Sequence, residues 1–223
     1  MACAFVPPEI LVGQRSLFAR MARAGVARVG WKIGHAIDEV DAMGVGLPVV
    51  GWISAGTVLK DGDAYSAGNH HELRAETEIV VEIACTVEPG ADDNVVREAI
   101  AGLRVALEIV DVARPRHDAR SIVEGNVFHR AVAFGARLAA LTDAVGAATL
   151  TVNETVHHQD EDPPCLLSAV RNVAGMLAAC GGVTVEPGDK ILTGSLVHVP
   201  VSPGDDLCAE IGGLGNVTAR VVR

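Results

Sequence analysis

The run Ala75 to Cys85, AETEIVVEIAC, constrains this chain more than any other segment. Its partial alternation and its β-branched residues specify a strand. That strand carries Glu76, Glu78 and Glu82 among Ile and Val, so its acids either meet water or must be neutralised inside. Glu76 and Glu78 stand two apart and project from one face. Val80 separates them from Glu82 on the same face. Two carboxylates so placed repel each other unless something positive lies between them, and a cation is the simplest solution.

A second acidic strand follows at Leu107-Glu108-Ile109-Val110-Asp111, where Glu108 is flanked by apolar residues. A carboxylate in a buried strand needs a partner. Three carboxylate oxygens plus waters form a hard, oxygen-only site, which suits Mg²⁺ or Mn²⁺ rather than zinc. The alternative is a solvated strand face on which Glu76 and Glu78 pair with Lys or Arg. Spacing alone favours that alternative, and the apolar setting of Glu108 narrows the difference.

Around these segments the pattern predicts a helix over Leu11–Ala24, a strand over Val26–Ile33 and turns over Thr57–His71. Asp92-Asp93-Asn94 caps a short helix running to Ala101, and Arg104–Val112 is a strand. Further strands are expected near Arg130–Leu138, Ala147–Val152, Lys190–Val199, Asp206–Ile211 and Asn216–Val222. A helix over Cys165–Cys180 starts at Pro163-Pro164 and stops at Gly181-Gly182. Strands outnumber helices and βαβ repeats are scarce, so the expected class is α+β: a mixed β-roll or barrel-like sheet with peripheral helices.

With 223 residues and 49% hydrophobic content the chain can bury one sizeable core. No linker or repeat divides it, so residues 1–223 read as one catalytic domain with an N-terminal helical segment over 1–25. The formal net charge is −10 and the 18 Lys and Arg are scattered, which excludes a nucleic-acid binder. No run of about 18 apolar residues predicts a membrane span, and Met1–Pro8 has no basic region ahead of a long apolar run, which argues against a signal peptide. Cys3, Cys85, Cys165, Cys180 and Cys208 are odd in number and widely spaced. They read as reduced thiols in a cytoplasm rather than as disulfides or a zinc site. A mean hydropathy of +0.32 and the apolar helix over Cys165–Cys180 predict at least a homodimer.

Four motifs carry a family likeness. Gly30-Trp31-Lys32-Ile33-Gly34 resembles the GYKIG motif of the 2-keto-4-pentenoate hydratase family, within the fumarylacetoacetase superfamily. Ala75-Glu76-Thr77-Glu78-Ile79 resembles its EAEIA strand, and Ala106 to Asp111 its ALEIVDSR motif. Gly188 to Ser195 is similar to its GDVILTGS segment, and Gly212-Gly213-Leu214-Gly215 also matches. The resemblance implies a fumarylacetoacetase-like roll that binds a small 2-oxo acid through Mg²⁺ or Mn²⁺ held by Glu76, Glu78 and Glu108. It places Lys32 at the active-site lysine, and Thr193 and Ser195 on a segment lining the substrate site. It further implies an enolate stabilised by the metal as a proton leaves C3, with Lys32, desolvated near that metal and so of depressed pKa, moving a proton.

The departures bear on the reaction. The acidic residue of the hydratases' PDFG-like stretch is replaced by Val49, and their ADNAS segment becomes Glu124-Gly125-Asn126-Val127-Phe128. Of its polar core only Asn126 remains, as a substrate-binding candidate. His35 follows the KIG motif with Asp38 and Glu39 behind it, resembling the His-x-x-Glu dyad of hydrolase and decarboxylase members. His35 and Glu39 are therefore catalytic candidates, with Asp38 as the alternative acid. His129 lies in the altered Asn126 segment, where a structural histidine is the alternative, and His70-His71 and His157-His158 read as solvated loop residues. The leading expectation is a hydratase or dehydratase. The alternatives are a hydrolase or decarboxylase using the His35 dyad, and a non-catalytic homologue.

Overall fold

The branched run around Glu76 becomes the centre of a large sheet. The computed structural model describes residues 6–34, 48–70, 72–113, 119–142, 144–159 and 162–223. Its strands are β1 (Arg28–Gly34), β2 (Val49–Ser54), β3 (Val58–Leu59), β4 (Ala64–Ser66), β5 (Leu73–Ile83), β6 (Ile100–Asp111), β7 (His129–Phe134), β8 (Ala148–Val152), β9 (Thr155–His158), β10 (Lys190–Pro200), β11 (Asp206–Ile211) and β12 (Gly215–Val222). Its helices are α1 (Pro8–Arg23), α2 (Asp93–Ala99), α3 (Ala119–Glu124) and α4 (Leu166–Cys180).

One sheet runs β2-β1-β10-β5-β6-β7-β3 and a second runs β4-β12-β11-β8-β9. The pairs β1–β10, β3–β7 and β4–β12 are parallel and the rest antiparallel. The result is a curled, mixed sheet with few helices, the roll expected from the sequence. Alternation along β5 sorts its two faces. Ala75, Ile79 and Val81 enter the main core, and Thr77 Oγ1 donates to Thr149 O on the second sheet at 3.0 Å. Val80 instead joins a small cluster with Ile53, Ala106, Val132 and Leu192. Glu76 and Glu78 share the face of Val80 and so look away from the second sheet.

Helix boundaries follow local chemistry. The Asp92 carboxylate accepts the N–H groups of Asn94 and Val95 at 2.9 and 3.0 Å, capping α2. At the end of α4, Gly181 takes φ 87°, the left-handed region that stops a helix at little cost. Arg15 from α1 donates to the terminal carbonyls of Ala179 and Cys180, both at 3.1 Å. The apolar residues of α4, among them Val170, Val173 and Leu177, are spent on the chain's own core. No helix among the described residues is long and apolar enough to cross a membrane.

Several elements differ from the expectation. Val49–Ser54 is a strand buried on both faces, held in place by buried Gln14, whose amide exchanges two hydrogen bonds with the Val50 main chain (2.7 and 2.6 Å). Thr57–His71, expected as turns, contains the short strands β3 and β4, and His157 and His158 lie on β9 rather than in a loop. The strand carrying Glu108 starts at Ile100, directly after α2. His70 is not simply solvated: its Nδ1 lies 2.8 Å from Asp111 Oδ2.

Candidate active site

Strand register assembles the acidic cluster. β5 and β6 pair without a slip from Leu73 to Glu82, which sets Glu76 opposite Glu108. On its other side β5 meets β10, with His198 opposite Glu76 and Ser195 opposite Glu78. Each of Glu76, Glu78 and Glu108 offers a carboxylate oxygen, and these oxygens all lie within 4.8 Å of one another. All three are buried, Glu108 completely.

Lys32 reaches this cluster from β1. Its Nζ is 2.8 Å from the Glu108 carboxylate, and the side chain is 4% exposed. Burial pulls the ammonium's pKa down, but the charges of Glu108, Glu76 and Glu78 outweigh it and the net shift is upward. The depressed value expected from the sequence belongs to a lysine beside a bound metal; with the carboxylates alone their three negative charges outweigh desolvation. Glu108 shows the reverse balance. Burial raises it, yet the Lys32 charge and the His129 hydrogen bond bring it down to about 2. Glu78 has the weakest cationic support: burial and then the charges of Glu108 and Glu76 push it well above the usual carboxylate range.

Neighbouring groups fix the orientation of each acid. His129 Nδ1 lies 2.7 Å from Glu108 Oε1, and its Nε2 is 2.9 Å from Thr57 Oγ1. His198 Nδ1 lies 2.6 Å from Glu76 Oε1. The Gly194 N–H donates to Glu78 Oε2 at 2.8 Å. His129 is aimed by an unusual turn in which Asn126, Val127 and Phe128 take φ values of 64°, 51° and 64°. A β-branched residue there is a steric outlier, costing on the order of 1–3 kcal/mol. Asn126 clamps the turn to β2: its Oδ1 accepts the Trp52 N–H at 2.7 Å and its Nδ2 donates to Trp52 O at 2.9 Å.

Of the residues singled out in the sequence, the structure brings Lys32, Glu76, Glu78 and Glu108 together. Thr193 and Ser195 flank Gly194; their hydroxyls donate to the carbonyls of Ile79 and Val197, both at 3.0 Å. Asn126 has both amide atoms engaged with Trp52. His35, Asp38 and Glu39 lie outside the described residues. His198 escaped sequence reasoning, although a lone imidazole in the apolar run Leu196-Val197-His198-Val199 carries the same signal that singled out Glu108. Its partner lies 122 positions away, and only the strand register supplies it.

The donor set fits a divalent cation. Three buried carboxylates face one buried ammonium, so two negative charges stay uncompensated when all are ionised, a balance that a divalent cation would complete. Glu76, Glu78 and Glu108 would hold such an ion with one carboxylate oxygen each, and hard oxygen donors suit Mg²⁺ or Mn²⁺.

Comparison with known proteins agrees with this architecture. Residues 28–222 match the family profile of the fumarylacetoacetate (FAA) hydrolase C-terminal domain. The chain is 30% identical over 210 residues to a 4-oxalocrotonate decarboxylase of Pseudomonas putida, covering 87% of this chain and 77% of that protein. It is 29% identical over 208 residues to 2-keto-4-pentenoate hydratase 1 of Dechloromonas aromatica (strain RCB), covering 86% and 76%. The structure of 4-oxalocrotonate decarboxylase from Pseudomonas putida G7, complexed with magnesium and adipate, matches with a TM-score of 0.80 at 25% identity, over 96% of this chain and 85% of that one. With the profile matched from β1 to β12, this chain belongs to the fumarylacetoacetate hydrolase C-terminal family.

Proposed function

We propose that this chain is a divalent-metal-dependent lyase of the hydratase or dehydratase type, acting on a small 2-oxo or 2-hydroxydienoic acid. The observation that carries this reading is the convergence of Glu76, Glu78 and Glu108 within 4.8 Å, with the Lys32 ammonium 2.8 Å from Glu108. Glu76, Glu78 and Glu108 would hold Mg²⁺ or Mn²⁺. When bound, the ion supplies a Lewis acid that polarises the 2-oxo group and favours loss of a proton from C3. Lys32 holds a proton next to the cluster as an ammonium and delivers it to one substrate carbon, and the neutral amine so formed takes up the proton that leaves C3. His129 and His198 keep Glu108 and Glu76 oriented, as outer partners of ligating carboxylates do. Thr193 and Ser195 form the wall beside Glu78, and Asn126 fixes the turn that faces β2. The His35–Asp38/Glu39 dyad enters no step here.

A second reading, decarboxylation of a 2-oxo acid, is supported by the similarity to the Pseudomonas decarboxylase in sequence and in structure. Product analysis by NMR separates the two. A panel of 2-oxo and 2-hydroxydienoic acids is incubated with the protein and Mg²⁺, then with excess chelator. Hydration keeps every carbon and adds the elements of water, whereas decarboxylation shortens the skeleton by one carbon and releases CO₂. Both should stop with chelator. Absence of turnover across the panel, with Mg²⁺ bound, would overturn the enzymatic reading and favour a non-catalytic homologue.

A further inference from the structure

Among the described residues, Arg74 has no ionic partner for its charge. It lies on β5, opposite Val110 on β6 and Pro200 on β10. Because pairing with β6 is regular from Leu73 to Glu82, Arg74 leaves the sheet on the face of Glu76 and Glu78. It sits two residues before Glu76, about 6.6 Å along the strand. Its Nε is buried without a hydrogen-bond partner, and among the described residues no ion pair engages its guanidinium. Other partly buried arginines are satisfied: Arg28 forks onto Asp189 at 3.0 and 3.1 Å, and Arg104 meets Glu82 at 2.7 Å. A buried donor without an acceptor is costly, the more so on a charged group, and its cross-strand neighbours Val110 and Pro200 offer no carboxylate.

Charge balance indicates what the missing acceptor is. Three glutamates are offset by a divalent ion and by Lys32, which leaves the loaded site neutral. An incoming 2-oxo acid adds one negative charge, and Arg74 is a cation on that face with no ionic partner among the described residues, whereas Arg104 and Lys190 are paired with Glu82. We propose that Arg74 is the anion-recognition residue of the site, its planar fork taking the carboxylate of the substrate. This rests on the reading that the glutamate cluster holds a divalent ion.

The test uses 2-oxobutanoate and its neutral amide as paired probes, titrated by calorimetry into Mg²⁺-saturated wild type, Arg74→Gln and Arg74→Lys. Mg²⁺ affinity and melting temperature are measured first for each protein. Arg74→Gln should keep Mg²⁺ binding and lose about 10- to 100-fold in affinity for the acid, the range of a charge-assisted hydrogen bond. Its affinity for the amide should stay unchanged. Arg74→Lys should fall between, since it keeps the charge and loses the fork. An Arg74→Gln protein that takes Mg²⁺ and binds the acid as wild type does would overturn the assignment alone, as would an equal loss for acid and amide. Wild-type protein that takes no Mg²⁺ would remove the metal reading, and the assignment with it.

Discussion

Gly51 gives the Lys32 side chain its room, and Gly51→Ala should therefore impair the site without replacing any of its charged groups. Gly51 stands opposite Lys32 in the β1–β2 ladder. A Cβ at this position would sit 2.6 Å from Lys32 Cγ, 3.1 Å from Cδ and 3.3 Å from Asn126 O. Ordinary carbon contacts need about 3.5–4.0 Å, so Cγ must retreat by about 1 Å. Cγ lies near the root of the side chain and cannot swing clear, and the shift passes outward to Nζ. A 2.8 Å contact with Glu108 lengthened by about 1 Å lies outside hydrogen-bond range. Misplacing a reacting group by that distance costs about 10²-fold in rate. Overpacking should cost about 1–3 kcal/mol, or roughly 2–4 °C in Tm per kcal/mol for a chain of this size. The assay is turnover of the 2-oxo acid identified by NMR, with Mg²⁺ affinity and melting measured on the same preparations. Gly51→Ala should lose kcat while Mg²⁺ affinity stays near wild type. Wild-type kcat together with an unchanged Tm would refute the steric argument and the role given to Lys32.

Glu78 links stability to pH in the metal-free protein. Its folded pKa is raised, by burial first and then by Glu108 and Glu76, so the unfolded chain releases this proton at lower pH than the folded one. The contribution is present below the unfolded value and is lost as pH rises through the folded one. Glu78→Gln should therefore melt higher than wild type near neutral pH without metal, yet gain less from added Mg²⁺; a lower Tm in metal-free buffer would contradict this. Asp92→Ala removes the side-chain cap of α2 and should cost about 1 kcal/mol with unchanged turnover, measured by urea denaturation. A homodimer or larger assembly is expected by light scattering at micromolar concentration, and a monomer would contradict it.

Much of the scaffold was legible in the sequence because it is local. Asp92 announces its helix, Gly181-Gly182 ends another, and branched residues mark the strand of Glu76 and Glu78. The strand Val49–Ser54 was not legible: its short apolar run is buried on both faces and broken by Gly51, so it shows no alternation. The start of the Glu108 strand at Ile100 was missed because α2 passes into it with no breaker. The acids and Lys32 were visible as polar residues in apolar runs. Their distances were not, since they depend on the register of β1, β5, β6 and β10. The same holds for His198 on Glu76 and for the Gly194 N–H on Glu78, each a contact across more than a hundred positions.

The proposed chemistry requires Glu76, Glu78 and Glu108 to hold a divalent ion together. Titration calorimetry with Mg²⁺ and Mn²⁺ on chelator-treated wild type, Glu76→Gln and Glu108→Gln tests it most directly. Wild type should bind one ion per chain, and both variants should bind much more weakly while remaining folded by circular dichroism. Wild-type affinity in both variants, or no saturable binding in the wild type, would contradict the claim.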